Sequence, residues 1–157
     1  MNDIAYEQFI NVEAEKLIEI FVGDVDQLVQ ILKAHLYTEN FLEKIILATL
    51  IRGDKLIEKG NFSYHHKLLI CESVDALPDT LVSSLRNLNK LRNKFAHQMD
   101  MQISEADVTK VGSPLGNEYT KLKKGKEGRV GYLYSTLLVT ICSKLAKIAY
   151  HIEHENA

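Results

Sequence analysis

The stretch from Leu81 to Met99 constrains the fold more than any other part of the chain. At about 100° per residue, Leu81, Leu85, Leu88, Phe95 and Met99 fall on one narrow apolar stripe. Arg86, Lys90, Asn93 and His97 fall roughly opposite, at spacings of four, three and four. This is an amphipathic helix, and it must lie against other helices to hide its stripe. Arg92 breaks the pattern by projecting from the middle of the apolar side. A guanidinium in that place must be paired, must snorkel to an edge, or must line a cleft.

The rest of the chain is punctuated as an all-helical protein, with only two Pro and with Gly set between periodic segments. A first helix is expected over Asp3 to Phe21, with Ile4, Phe9, Ile10, Ala14, Leu17, Ile18 and Phe21 buried. Gly23 ends it, and Asp24 is the expected N-cap of a long second helix reaching about Ile51. Leu28, Ile31, Leu32, Leu42, Ile45, Ile46 and Thr49 mark the core face of that helix. His35 and Glu39, one turn apart, stand on the same stripe. A buried carboxylate needs a partner, so an Arg92–Glu39 contact is expected. It would be either a structural pair that fixes helix register or a device by which Glu39 orients Arg92 towards a phosphate.

Arg52-Gly53-Asp54 predicts a turn, with a short helical piece from Lys55 to Gly60. Ser63 caps a third helix from Tyr64 to about Ala76. His65 and His66 are adjacent and point about 100° apart, which suits surface histidines rather than a zinc pair. Pro78 and Asp79 start the motif helix, which runs to about Met99. Ser104 with Asp107 resembles a capping box for a short helix, and Val111–Asn117 predicts a loop. Lys121, Lys123, Lys124, Lys126 and Arg129 then stand against Glu127 alone. This segment is either ordinary solvated surface or a holder of RNA phosphates without sequence readout. The last helix, about Gly131 to His154, carries a broad apolar band from Leu133 to Ile152, suited to core or to a dimer interface. The sum is an all-α, antiparallel four- to five-helix bundle in one domain over 1–157, with a core of about 24–155 and an N-terminal helix over 3–21.

Composition narrows the partners. A net charge of −2 predicts no global attraction to nucleic acid, so RNA binding must come from a local basic patch. Cys71 and Cys142 are far apart in apolar surroundings and read as core thiols, a disulfide being the alternative. The acidic start Met1-Asn2-Asp3-Ile4 lacks an apolar signal region, and no apolar run approaches the roughly 20 residues that span a bilayer. The expectation is a soluble, cytoplasmic protein without a membrane segment. His151 and His154 lack a further ligand cluster, so no metal site and no cofactor are expected.

Arg92-Asn93-Lys94-Phe95-Ala96-His97 resembles the R-x-x-x-x-H signature of the HEPN superfamily (higher eukaryotes and prokaryotes nucleotide-binding), which has a polar residue directly after the arginine. The resemblance implies a small helical bundle, usually a homodimer. It also implies a metal-independent endoribonuclease of the toxin–antitoxin or phage-defence type, with RNA as substrate and an antitoxin or other inhibitory partner. Carried over residue by residue, Arg92 and His97 would be catalytic and Asn93 supporting, with Glu39 behind Arg92. HEPN toxins paired with nucleotidyltransferase antitoxins carry a tyrosine two residues after the histidine. Met99 stands there instead, which argues against that antitoxin class.

The residue types suit the chemistry. Metal-independent RNA cleavage needs a base for the 2′-hydroxyl, an acid for the leaving oxygen and positive charge on the phosphate. Histidine fits the first two roles and arginine the third. Arg92 and His97, five residues apart, lie about 140° from one another around the helix. One helix does not easily bring both to one atom, whereas two copies facing across a two-fold axis can. Arg86 and Lys90 share the face of His97 and are further candidates for phosphate contact. Products would carry a 2′,3′-cyclic phosphate. The alternative is a non-catalytic HEPN-like binding or regulatory module, in which Arg92 serves a core ion pair and His97 meets the helix dipole.

Overall fold

The computed structural model describes residues 3–23 and 25–155. Among them are eight α-helices and no strand: α1 (Asp3–Phe21), α2 (Gln27–Thr49), α3 (Gly53–Lys59), α4 (Tyr64–Ser73), α5 (Asp79–His97), α6 (Glu105–Gly112), α7 (Asn117–Lys123) and α8 (Val130–Glu155). The chain is an all-α helical bundle. Its long members are α1, α2, α5 and α8, and the shorter helices occupy the connections.

Caps on the sequence set the helix starts. Asp26 Oδ1 accepts from the backbone N–H of Leu28 at 2.8 Å and of Val29 at 3.3 Å, opening α2. Asp24, the expected cap, lies outside the described residues. Ser63 caps α4 through His66 N–H. Ser104 and Asp107 form a reciprocal capping box on α6, and Lys94 Nζ donates to Asp107 Oδ1 at 2.8 Å. Burial alone would raise the Asp107 carboxyl pKa, but Lys94 and the Ser104 donors hold it below its ordinary value. Val111–Asn117 is not the expected loop. The helix α6 continues to Gly112 and tightens into a 3-10 turn over Ser113–Leu115.

The core lies between α2 and α8, with α1, α4, α5 and α6 packed around them. Along α8 the buried face includes Leu133, Leu137, Leu138, Ile141, Leu145 and Ala149, so this helix serves the bundle core. Gln30 is buried where α2 meets α8 and donates to Ser135 Oγ at 2.9 Å. Cys71 and Cys142 are free thiols, both buried. Burial pushes the Cys71 thiol up to about 12 and Cys142 upward as well.

The core face of α2 is rotated from the expected one. Ile31, Ala34, Thr38, Phe41, Leu42, Ile45 and Ile46 are buried, whereas Leu28 and Leu32 are exposed. Ala34 and Thr38 take inner positions, and the leucines stand on the flank. Thr38 Oγ1 donates to Ala34 O at 2.8 Å and meets Tyr64 Oη, also at 2.8 Å. On α1, Leu17 and Phe21 are buried as expected, but Ile4, Ala14 and Ile18 face outward. Glu13 is buried instead, accepting from Tyr37 Oη and from Lys16. No helix among the described residues is long and apolar enough to cross a membrane.

Candidate functional site

The motif helix α5 is clamped on both flanks. Towards α6, Ser84 Oγ donates to Val111 O at 2.8 Å and Asn87 Nδ2 to Lys110 O at 2.7 Å. Towards α4, Arg86 pairs with Glu72 at 2.7 Å. Towards α2, Asn89 Oδ1 meets His35 Nε2 at 2.9 Å. These links, with Leu81, Leu85, Leu88, Leu91 and Phe95 buried beneath, hold α5 through to its C-terminal turn. Met99 lies beyond the helix and is 94% exposed, so the apolar stripe ends at Phe95.

The Arg92–Glu39 pair expected from the sequence is not formed. Lys67, buried on α4, takes Glu39 at 3.3 Å and Glu43 at 2.7 Å. No ion pair involves Arg92 among the described residues. Its Nη1 donates to Asn93 Oδ1 at 3.3 Å, while its Nε is buried and makes no hydrogen bond. The arginine therefore keeps an uncompensated charge at a partly buried position, with Asn93 as its one hydrogen-bonding partner among the described residues.

Arg92 acts on a residue that the motif does not contain. Burial lowers the His35 pKa and the Arg92 charge lowers it further, against the opposing Asn89 hydrogen bond and Glu39 charge; the balance leaves it below its ordinary value. Asn89 Oδ1 can only accept, so Nε2 is the ring nitrogen that donates to it. The ring stacks on Tyr64 with 4.1 Å between centroids. In the sequence, His35 stands out only as a polar residue on an apolar stripe; Asn89 comes 54 residues later, and nothing local ties the two.

His97 is the last residue of α5 and is exposed, on a different side of the helix from Arg92. A single chain therefore joins Arg92 and Asn93 but leaves His97 apart. Beside this turn runs an open groove of about 1000 Å³ between the start of α2 and the end of α5, lined by Leu28, Leu32, Phe95, Ala96, Met99 and Met101 among others. Leu32 is 40% and Leu36 59% exposed, and with Leu28 they form a ridge along α2 at four-residue spacing.

The remaining candidates are scattered. Arg86 is engaged by Glu72, whereas Lys90 is exposed and borders a cleft of about 220 Å³ with Lys94 and Lys110. Lys121 and Lys123 end α7, and Lys124, Lys126 and Arg129 occupy the connection to α8. Gly125 at φ 75° and Gly128 at φ 73° supply the left-handed positions that this tight connection needs. None of these five cations forms an ion pair among the described residues. Arg129 instead lies over the Tyr132 ring at 4.7 Å and Lys126 at 5.4 Å. At the far end of α8, His154 stacks on Tyr150 at 3.9 Å. Comparison with known protein families, with curated proteins and with solved structures finds no match to this chain.

Proposed function

We propose that this chain is a HEPN-like, metal-independent endoribonuclease whose active site is assembled across a homodimer. The observation that carries the proposal is the state of Arg92. A structural arginine on a core stripe would be neutralised by a carboxylate, since an unpaired buried charge is expensive. Glu39 is the natural partner, yet it is held by Lys67. Arg92 keeps its charge for an anion from outside, and its fork matches the oxygens of a phosphodiester.

The second support is the surface around it. Exposed Leu28, Leu32 and Met99 border the groove at the motif turn, and exposed Leu36 continues the leucine ridge along α2. A two-fold partner seated on this ridge would bury those side chains and bring its own motif turn to the same groove. Arg92 and Asn93 of one copy would then face His97 of the other, which a single helix does not achieve. In the reaction, the 2′-oxygen forms a bond to phosphorus and the bond from phosphorus to the 5′-oxygen breaks. A neutral histidine takes the 2′-hydroxyl proton, a protonated group returns one to the leaving oxygen, and Arg92 stabilises the phosphorane charge. The products are a 2′,3′-cyclic phosphate and a 5′-hydroxyl. The toxin or defence role, with an inhibitory partner, is part of the same proposal and rests on the motif. Met99 in place of the tyrosine leaves no hydroxyl there for an antitoxin to modify.

The test incubates the purified chain with a mixed RNA pool in EDTA, beside His97→Ala and Arg92→Ala. Cleavage by the parent chain alone, with cyclic-phosphate ends, is the expected result. No cleavage by a folded dimer would replace the enzyme with a binding or regulatory module, and inhibition by EDTA would overturn the metal-independent mechanism.

A further inference from the structure

Among the described residues, Tyr132 is the one large aromatic ring both half exposed and flanked by unpaired cations. It is 53% exposed, with Arg129 and Lys126 over its ring. Elsewhere on the surface, Arg52, Arg86, Lys94 and Lys144 each lie against a carboxylate. Tyr132 also borders a cleft of about 590 Å³ between the α1–α2 turn and α8, walled by Val22, Val25 and Val139. In the same cleft the Thr136 and Thr140 hydroxyls donate to their own helix carbonyls and so present lone pairs outward. This cleft and the groove at the motif turn both border Val25 and Gln27, around the start of α2.

From this juxtaposition we infer that Tyr132, with Lys126 and Arg129, is a stacking platform for a base of single-stranded RNA, upstream or downstream of the scissile phosphate. The inference rests on the ribonuclease proposal for its substrate class, and it adds a site that the R-x-x-x-x-H motif does not contain. The chemistry selects single strands. A base must be splayed out of its helix to stack on a tyrosine–guanidinium layer, and the valine-walled cleft takes its flat body while acceptor oxygens meet its edge. Lys121, Lys123 and Lys124, which form no ion pair among the described residues, add positive charge to the segment that precedes Tyr132. A folded duplex cannot present a base in this way.

The experiment measures fluorescence anisotropy of a fluorescein-labelled single-stranded oligoadenylate on the full-length chain carrying His97→Ala, so that the probe stays intact. Adding Tyr132→Ala should weaken binding roughly five- to a hundredfold, the usual range for one lost base–aromatic stack. Tyr132→Phe should bind like the parent, because stacking needs the ring and not the hydroxyl. Neutralising Lys126 and Arg129 together should reduce the salt slope by about 0.7 for each phosphate released. Unchanged affinity in Tyr132→Ala with an unchanged melting curve would overturn the inference, as would equal losses in the Phe and Ala variants. So would tighter binding to phosphatidylserine vesicles than to RNA, which would make the patch a membrane contact. The two proposals separate cleanly. Cleavage in EDTA with a silent Tyr132 sinks only the platform, whereas Tyr132-dependent binding without cleavage sinks only the nuclease.

Discussion

Replacing Arg92 with Met should leave the protein as stable as before, or more stable, while abolishing RNA cleavage. Methionine keeps a long unbranched stem and similar helix propensity, so the change isolates the guanidinium. What is lost is one long hydrogen bond, Nη1 to Asn93 at 3.3 Å, worth at most about 0.5–1 kcal/mol. What is relieved is a buried Nε–H with no acceptor, a group whose unmet desolvation is typically about 1–3 kcal/mol. The balance lies between zero and about 2 kcal/mol in favour of the variant. For a chain of 157 residues, about 2–4 °C of Tm accompanies each kcal/mol, so the melting point should hold or rise by up to about 8 °C. Had Arg92 been half of a core ion pair, its removal would cost about 3–5 kcal/mol by stranding the carboxylate. The two expectations differ in sign. Thermal unfolding followed by far-ultraviolet circular dichroism, at one fixed protein concentration because dimers melt by mass action, measures the first quantity, and the EDTA cleavage assay the second. A Tm lower by 10 °C or more would refute the functional assignment of Arg92, as would persistent cleavage.

Leu32→Asp and Leu36→Asp should each leave helicity intact, since both side chains already face solvent and such changes usually fall within about 0.5 kcal/mol. If the ridge carries the partner, sedimentation should show monomers and cleavage should disappear with the dimer; a dimer undisturbed by both charges would place the interface elsewhere. Stability should also fall as pH drops below 6.5, the ordinary value for histidine, because the unfolded His35 takes up a proton that the folded one resists until lower pH. His35→Gln should flatten that decline in urea titrations across the range, and an identical pH slope in the variant would remove His35 as its source.

The helices were legible because their signals are local. The caps at Ser63 and Ser104 and the start of α5 at Asp79 need only neighbours in sequence. The orientation of α2 was not legible, because a period of 3.6 identifies a helix more surely than it identifies which apolar residues face inward. Leu28 and Leu32 looked like core by chemistry alone. Ala34 and Thr38 take inner positions instead, and which side of a helix faces inward is set by its neighbours, a property of pairs of helices and not of one.

The same distinction explains the site. Arg92 could be singled out because a charge on an apolar stripe is a local contradiction. Its missing partner could not be foreseen, because Glu39 had two possible cations and Lys67 lies 28 residues further along the chain. Lys67 sits buried between Glu39 and Glu43, and their opposing charges hold its pKa up against its own burial. With both carboxylates already engaged by that ammonium, drawing Glu39 to Arg92 would leave Lys67 less well compensated inside the bundle. The ion triad of α2 and α4 therefore does more than fix two helices. Under the ribonuclease proposal this leaves the guanidinium for a phosphate, and Lys67→Met, by releasing Glu39 and Glu43, should let Glu39 compete for Arg92 and suppress cleavage without touching the motif; unchanged cleavage by the folded variant would remove Glu39 as a competitor.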